Sequence, residues 1–322
     1  MIEAVRAVDS TKIPDGVDVR YDLDVSALGD GAQLRVPVRV LAGAGSRPCV
    51  AVVAGIHGNE ADGVLAVHAL GDLLRPSQLR GRVVLVAVAN PPAFLAGERK
   101  SPVDGEDLNR IFPGDKAGTV SQRLAERLCH GVIAGADFVA SLHGWGHWGI
   151  TMRHVEYDAS LATAAASRAA CVASGFAAIN TTPWPKGMMV RVCSEAGIPA
   201  WEGEVGGGGS FNRANVAFYM DRLRSLLQHL AVLPGTPPAN DDPGFFRHHD
   251  VLAPAGGIWQ PAAAPGDRVE AGGMLGAILT LHGHRVETII SPRDCVVASV
   301  RTYISARPGE RLLRLFCAED SR

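Results

Sequence analysis

The chain has 322 residues, 47% hydrophobic and 20% charged, which suits a soluble globular protein of one large domain and a small one. Its net charge of -2 excludes the basic field that nucleic acid requires, and no stretch approaches the roughly 20 apolar residues of a membrane span. The six cysteines are scattered without a C-x-x-C pair and read as buried free thiols of a reducing compartment. The first dozen residues lack a basic segment followed by a long apolar run, so no signal peptide is read and a cytoplasmic location is expected.

Residues 17–42 alternate apolar and polar around Gly29-Asp30-Gly31, the pattern of a strand, a turn and a strand at a sheet edge. Residues 49–54 form a buried strand, and residues 64–74 have apolar positions at helical spacing until Pro76. A second buried strand, 82–90, is expected to stop at Asn90-Pro91-Pro92. Residues 93–118 are polar and turn-rich, and a loop of that length inside a compact domain is usually functional. A helix over 120–134, a strand over 136–142 and an Ala-rich helix over 159–174 follow. A short strand then presents Glu204, and a long amphipathic helix covers 213–232. Residues 234–244 are rich in Pro, Gly, Asn and Asp and read as a linker. Helix signals vanish beyond it, and short alternating runs predict a small all-β barrel or sandwich over 245–322. Strand–helix–strand order upstream predicts an α/β domain over 1–233, a mixed, mainly parallel central sheet with helices on both faces.

Chemistry concentrates where strands end. His57 and Glu60 follow the strand 49–54, three apart, so a helical turn aims both at one spot, and both residue types ligate zinc. Gly55 and Gly58 beside His57 are expected to leave room for a metal, a water and a substrate. His143 ends the strand 136–142, with His147 as the other candidate nearby. Arg99, Asn109 and Arg110 in the long loop offer donors for a carboxylate and a developing oxyanion, although Asn109 and Arg110 could instead only pin the loop. Glu202 and Glu204, two apart in a strand, share a face. Gly206–Gly209 lacks the Lys-Ser/Thr of a phosphate loop, so nucleotide binding is not read from it. The stretch 267–272 is similar to a biotinyl or lipoyl hairpin, but residues 245–322 hold no lysine to modify; the module is read as structural, shaping the cleft entrance or joining copies in a homo-oligomer.

Gly-Ile-His57-Gly-Asn-Glu60, Asp104-Gly-Glu-Asp107-Leu-Asn109-Arg110, Leu142-His143-Gly and Glu204-Val-Gly-Gly, in this order, resemble the succinylglutamate desuccinylase/aspartoacylase family, a branch of the zinc carboxypeptidase-like fold. The resemblance covers roughly residues 30–230. It implies one zinc per chain held by His57, Glu60 and His143, with Glu204 as general base. It further implies Arg99 polarising the scissile carbonyl, and Asn109 with Arg110 gripping a substrate carboxylate. Three protein ligands leave a fourth position for water, whose pKa falls from about 15.7 to roughly 7 on zinc. The expected activity is zinc-dependent hydrolysis, by zinc-bound hydroxide, of the amide of an N-acyl amino acid or similar small N-acylated amine. A carboxypeptidase acting on short peptides and a zinc-binding relative without catalysis are the alternatives. One departure stands out: relatives commonly carry Asp two residues before the third ligand, and here Ser141 stands there.

Overall fold

The structure, a computed structural model, describes residues 2–318. Its centre is four parallel strands, in the spatial order Arg80–Val86, Ala44–Ala54, Phe138–His143 and Ala200–Gly207. In the first three, residues 81–86, 49–54 and 138–143 are buried throughout and mostly apolar, as expected where helices cover both faces. Val17–Ala27 and Gln33–Ala42 pair as the expected antiparallel hairpin and continue this sheet at one side, with the short strand Glu3–Val5 outermost. The continuous parallel block is therefore central, and most of the flanking pairings are antiparallel.

The helices divide between the faces. Helix Ala61–Leu73 packs on helix Arg213–His229, and its Gly63 lies against Leu142. Side chains alternate along a strand, so Ser141 and His143 face the other way. On their side lie the loop around Asn109 and the helix Met189–Glu195, whose first N–H donates to Asn109 Oδ1 at 3.0 Å. The strand expected to run to Asn90 ends at Val86, and Asn90-Pro91-Pro92 is more than a stop. It opens the helix Pro91–Ala96: the Asn90 side chain caps it, and proline is tolerated where no intrahelical donor is needed.

On its other side the central sheet runs on through Gly149–Glu156, antiparallel to Ala200–Gly207. That strand also pairs with Ala178–Asn180 and with Cys295–Arg301. Ala178–Asn180 pairs with Gly244–Leu252, which pairs with Arg311–Ala318, which pairs with Cys295–Arg301. Five strands thus close into a ring, filled by Phe316, Phe246, Ala178 and Ala298. The ring draws strands from both sides of residues 234–244, so the α/β part and the β part share one continuous sheet. A smaller four-stranded sheet, Arg285–Ile290, Met274–Leu279, Gly257–Pro261 and Ser305–Ala306, packs beside it. All six cysteines are free, and among the described residues no helix is long and apolar enough to cross a membrane.

Candidate metal centre and active-site cleft

Strand Ala44–Ala54 runs into a tight turn in which Glu60 N–H bonds His57 O at 3.4 Å. Glu60 then caps helix Ala61–Leu73, and its Oε1 comes to 2.8 Å from His57 Nδ1. The glycines beside His57 have another purpose than the one expected. A Cβ on Gly58 would stand 2.0 Å from the Ala93 backbone, and one on Gly55, at φ +64, would stand 2.9 Å from Ala87 O. They let neighbouring backbone close over the turn; they do not hold space for a ligand.

The adjacent parallel strand, in register Ala54 with Leu142, delivers His143. Its Nδ1 lies 2.9 Å from Glu60 Oε2 and 3.1 Å from His57 Nδ1. The next strand is in register His143 with Glu204 and Ser141 with Glu202, and the one beyond pairs Glu204 with His154 and Glu202 with Glu156. Registered neighbours share a face. Two rows therefore cross the sheet: His143, Glu204 and His154 in one; Ser141, Glu202, Glu156 and Asn180 in the other. Tyr219, from helix Arg213–His229, pins the first two of these strands, its hydroxyl lying 2.6 Å from His143 O and 2.8 Å from Gly203 O.

His57, Glu60 and His143 are buried and form the one cluster of three such groups found among the described residues. Their outward nitrogens meet carboxylates: His57 Nε2 is 3.2 Å from Asp107 Oδ1, and His143 Nε2 is 3.3 Å from Glu202 Oε2, though not aligned for a good hydrogen bond. With the ring protons on those nitrogens, both Nδ1 lone pairs and both Glu60 oxygens converge, and the donors beside them are Gly144 N–H, 3.1 Å from Glu60 Oε2, and the Arg99 guanidinium at the rim. A metal cation suits such a set. Zinc bonds of about 2.0–2.1 Å at tetrahedral angles place ligand atoms roughly 3.3 Å apart, close to the spacing here. The charge agrees. Seven carboxylates and five guanidiniums line the cleft; with Glu204 ionised, the form a bound cation favours, the excess is two negative charges, which a divalent ion cancels.

Titration follows the same crowding. Burial raises the Glu60 carboxyl, but the His57 and His143 imidazoles outweigh it and hold it well below the usual range. Burial disfavours the His143 charge, yet Glu202 and Glu60 push its pKa up to about 9. Burial, with Glu60 beside it, pushes the Glu204 carboxyl well up, and Glu204 Oε2 is buried without any hydrogen-bond partner. Burial raises Asp107 too, but His57 and Arg99 hold it low.

Arg99 reaches the cluster. Its Nε donates to Asp107 Oδ2 at 2.9 Å, and its Nη1 stands 3.4 Å from His57 Nδ1 and 3.7 Å from Glu60 Oε1. Asn109 is buried; it donates to Glu202 Oε2 at 3.2 Å and accepts from Met189 N, so it braces the site before it touches any ligand. Arg110 bonds only its neighbour's carbonyl, Asn109 O, at 2.7 Å and lines the cleft. His147 stays outside the cluster, its Nδ1 3.3 Å from Asn59 Nδ2. The cleft has a volume of about 610 Å³ and extends past Glu202 and Glu204 to the mouth of the ring. There Asp250 takes Arg314 Nε and Arg311 Nη1, each at 2.9 Å, and the Arg311 guanidinium lies over the Trp145 ring at 4.7 Å. Sequence reasoning assigned no role to Asp107, Glu156, Asp250, Arg311 or Arg314. Asp107 stands inside a quoted motif; the others carry no local signal and meet only through sheet register.

Known proteins share this architecture. A curated relative, the N-alpha-acetyl-L-2,4-diaminobutyric acid deacetylase of Halomonas elongata, is 27% identical over 300 residues, 90% of this chain and 86% of its own. The structure of a succinylglutamate desuccinylase/aspartoacylase from Rhodobacter sphaeroides superposes with a TM-score of 0.85 at 26% identity, covering 98% of this chain and 100% of that one. A product-bound ectoine utilization protein from Ruegeria pomeroyi gives 0.86 at 25% identity, over 95% and 97%. The family model "Succinylglutamate desuccinylase/Aspartoacylase catalytic domain" matches residues 46–230, more than half of the chain, and this protein belongs to that family.

Proposed function

We propose that this protein is a zinc-dependent amidohydrolase that removes the acyl group from an N-acyl amino acid. The observation that carries the reading is the convergence of His57, Glu60 and His143 beside the unpartnered oxygen of Glu204 and the Arg99 guanidinium, at one wall of a closed-in cleft. The deacetylase activity for which the Halomonas relative is named, in a protein that matches over most of both chains, supports a deacylase over a peptidase.

Zinc held by His57, Glu60 and His143 would polarise the amide carbonyl and acidify a water. The residues supply the rest. Glu204, its carboxyl raised by burial, takes a proton from the attacking water and returns it to the leaving amine nitrogen. Arg99, held in place by Asp107, faces the negative charge that develops on the carbonyl oxygen. Arg110 meets the substrate carboxylate, with Asn109 behind it.

Elemental analysis of the purified protein, followed by a panel of N-acetyl and N-succinyl amino acids against dipeptides, tests the reading. Stoichiometric zinc and hydrolysis of the acyl amino acids are expected. Turnover of the dipeptides alone would make it a carboxypeptidase, and zinc without any hydrolysis a non-catalytic relative. Glu204→Gln is expected to keep its zinc and lose about 10²–10⁴-fold in kcat.

A further inference from the structure

We infer that Glu156 forms a second, cation-binding subsite of the cleft, which holds an ammonium group on the amine half of the substrate. The inference rests on the deacylase reading and narrows its substrate class to N-acyl derivatives of diamino acids.

Glu156 is 4% exposed yet lines the cleft. All its bonds fall on one oxygen: Oε1 takes Asn180 Nδ2 at 2.8 Å, His154 Nε2 at 3.2 Å and Arg314 Nη1 at 3.4 Å. No described residue donates to Oε2, and that oxygen is not among the solvent-sealed atoms that lack a partner. It therefore opens on the cleft. Burial raises this carboxyl, but the His154 bond and Arg314 outweigh it and keep it ionised. Arg314 does not use it up. That guanidinium makes its shorter contact, 2.9 Å, with Asp250, which Arg311 also meets. A buried carboxylate with one braced and one open oxygen is a built receptor for a short-range cation.

Position and charge specify the ligand. Glu156 is in register with Glu202, one strand further along the row that begins at Ser141. Two strand spacings, about 10 Å, separate its backbone from that of the His143 strand. Glu156 lines the cleft with Glu202 and Glu204, and that separation is one a side chain with an amine a few bonds from the scissile amide can span. With a divalent ion the charged cleft residues balance, as counted above. An N-acyl monoamino acid would add a net negative charge, whereas an N-acyl diamino acid is a zwitterion, its carboxylate suited to Arg110 and its ammonium to Glu156.

Calorimetric titration of the zinc-loaded protein with L-2,4-diaminobutyrate and with L-norvaline, its uncharged counterpart in shape, tests the subsite apart from catalysis. Wild type is expected to bind diaminobutyrate at least about ten-fold tighter, and in Glu156→Gln that ratio is expected to fall to about one. Equal affinities in wild type, no binding of either compound, or a preference that survives in Glu156→Gln each overturn the inference. If the variant does not fold, the wild-type ratio decides, read again as kcat/KM for Nα-acetyl-diaminobutyrate against Nα-acetyl-norvaline. Equal hydrolysis of those two sinks the subsite and leaves the deacylase reading standing. Tight, selective binding of diaminobutyrate with no hydrolysis of any acyl amino acid does the reverse.

Discussion

Glu202 touches both halves of the site at once. It accepts from Asn109 Nδ2 at 3.2 Å, stands 3.3 Å from His143 Nε2, and is in register with Ser141, whose buried hydroxyl has no partner. A carboxylate behind a ligating histidine sets its tautomer and raises its basicity. Where relatives are expected to carry that carboxylate at position 141, this chain delivers it from the adjacent strand. Glu202→Gln is expected to weaken zinc binding by about 10–100-fold, read by competition with a chromophoric chelator, and Ser141→Asp in that background is expected to recover part of the loss. Unchanged affinity in the single variant would end this role. The members of the proposed site were legible in the sequence, because His57, His143 and Glu204 each stand at the end of a stretch that reads as a strand, and Glu60 follows His57 by three residues. Glu202 was legible as an acid on the right face, but its partner was not, since the pairing of strands 138–143 and 200–207 skips over more than fifty intervening residues.

The elements that hold the site do so through backbone. Tyr219 ties helix Arg213–His229 to the carbonyls of His143 and Gly203, the strand ends that carry a ligand and the base. Losing that hydroxyl leaves buried carbonyls short of a donor, so Tyr219→Phe is expected to cost about 1–3 kcal/mol, measured by urea unfolding. Gly58→Ala forces a methyl into the Ala93 backbone of helix Pro91–Ala96 and displaces the turn that carries His57 and Glu60. The expected result is protein that stays folded but binds zinc weakly, as elemental analysis after dialysis would show. This helix was invisible as a pattern. Asn90-Pro91-Pro92 reads equally as a stop or as a capped start, and only the close approach of Gly58 to Ala93 shows which one holds.

At the scale of the whole molecule, the β segment after residue 244 is a wall of the cleft, since Asp250, Arg311 and Arg314 line it together with Glu156. Its composition announced strands, but short alternating runs do not reveal that two of the five ring strands come from far upstream. His248, on the closing strand Gly244–Leu252, couples this wall to pH. Burial and the nearby Arg314 lower its pKa to about 4, against the pull of Glu156 and Asp250. Below about pH 6.5 the unfolded chain takes up a proton that the folded one refuses, so this group's contribution is lost as pH falls from about 6.5 toward 4. Melting temperature should drop across that window, and less steeply in His248→Gln; parallel curves would exclude His248 as a cause.

The closed ring also dictates when the protein can begin to work. Gly149–Glu156 finds one of its partners in Cys295–Arg301, about half the chain length further on, and Asp250 and Glu156 both wait for Arg314. Pairings so distant in sequence form late and slowly. A nascent chain that has already released His57, Glu60 and His143 from the ribosome therefore owns every member of the candidate metal cluster but no finished cleft. The cleft is completed when strand Arg311–Ala318 takes its place, well after the residues of the candidate metal cluster have been made.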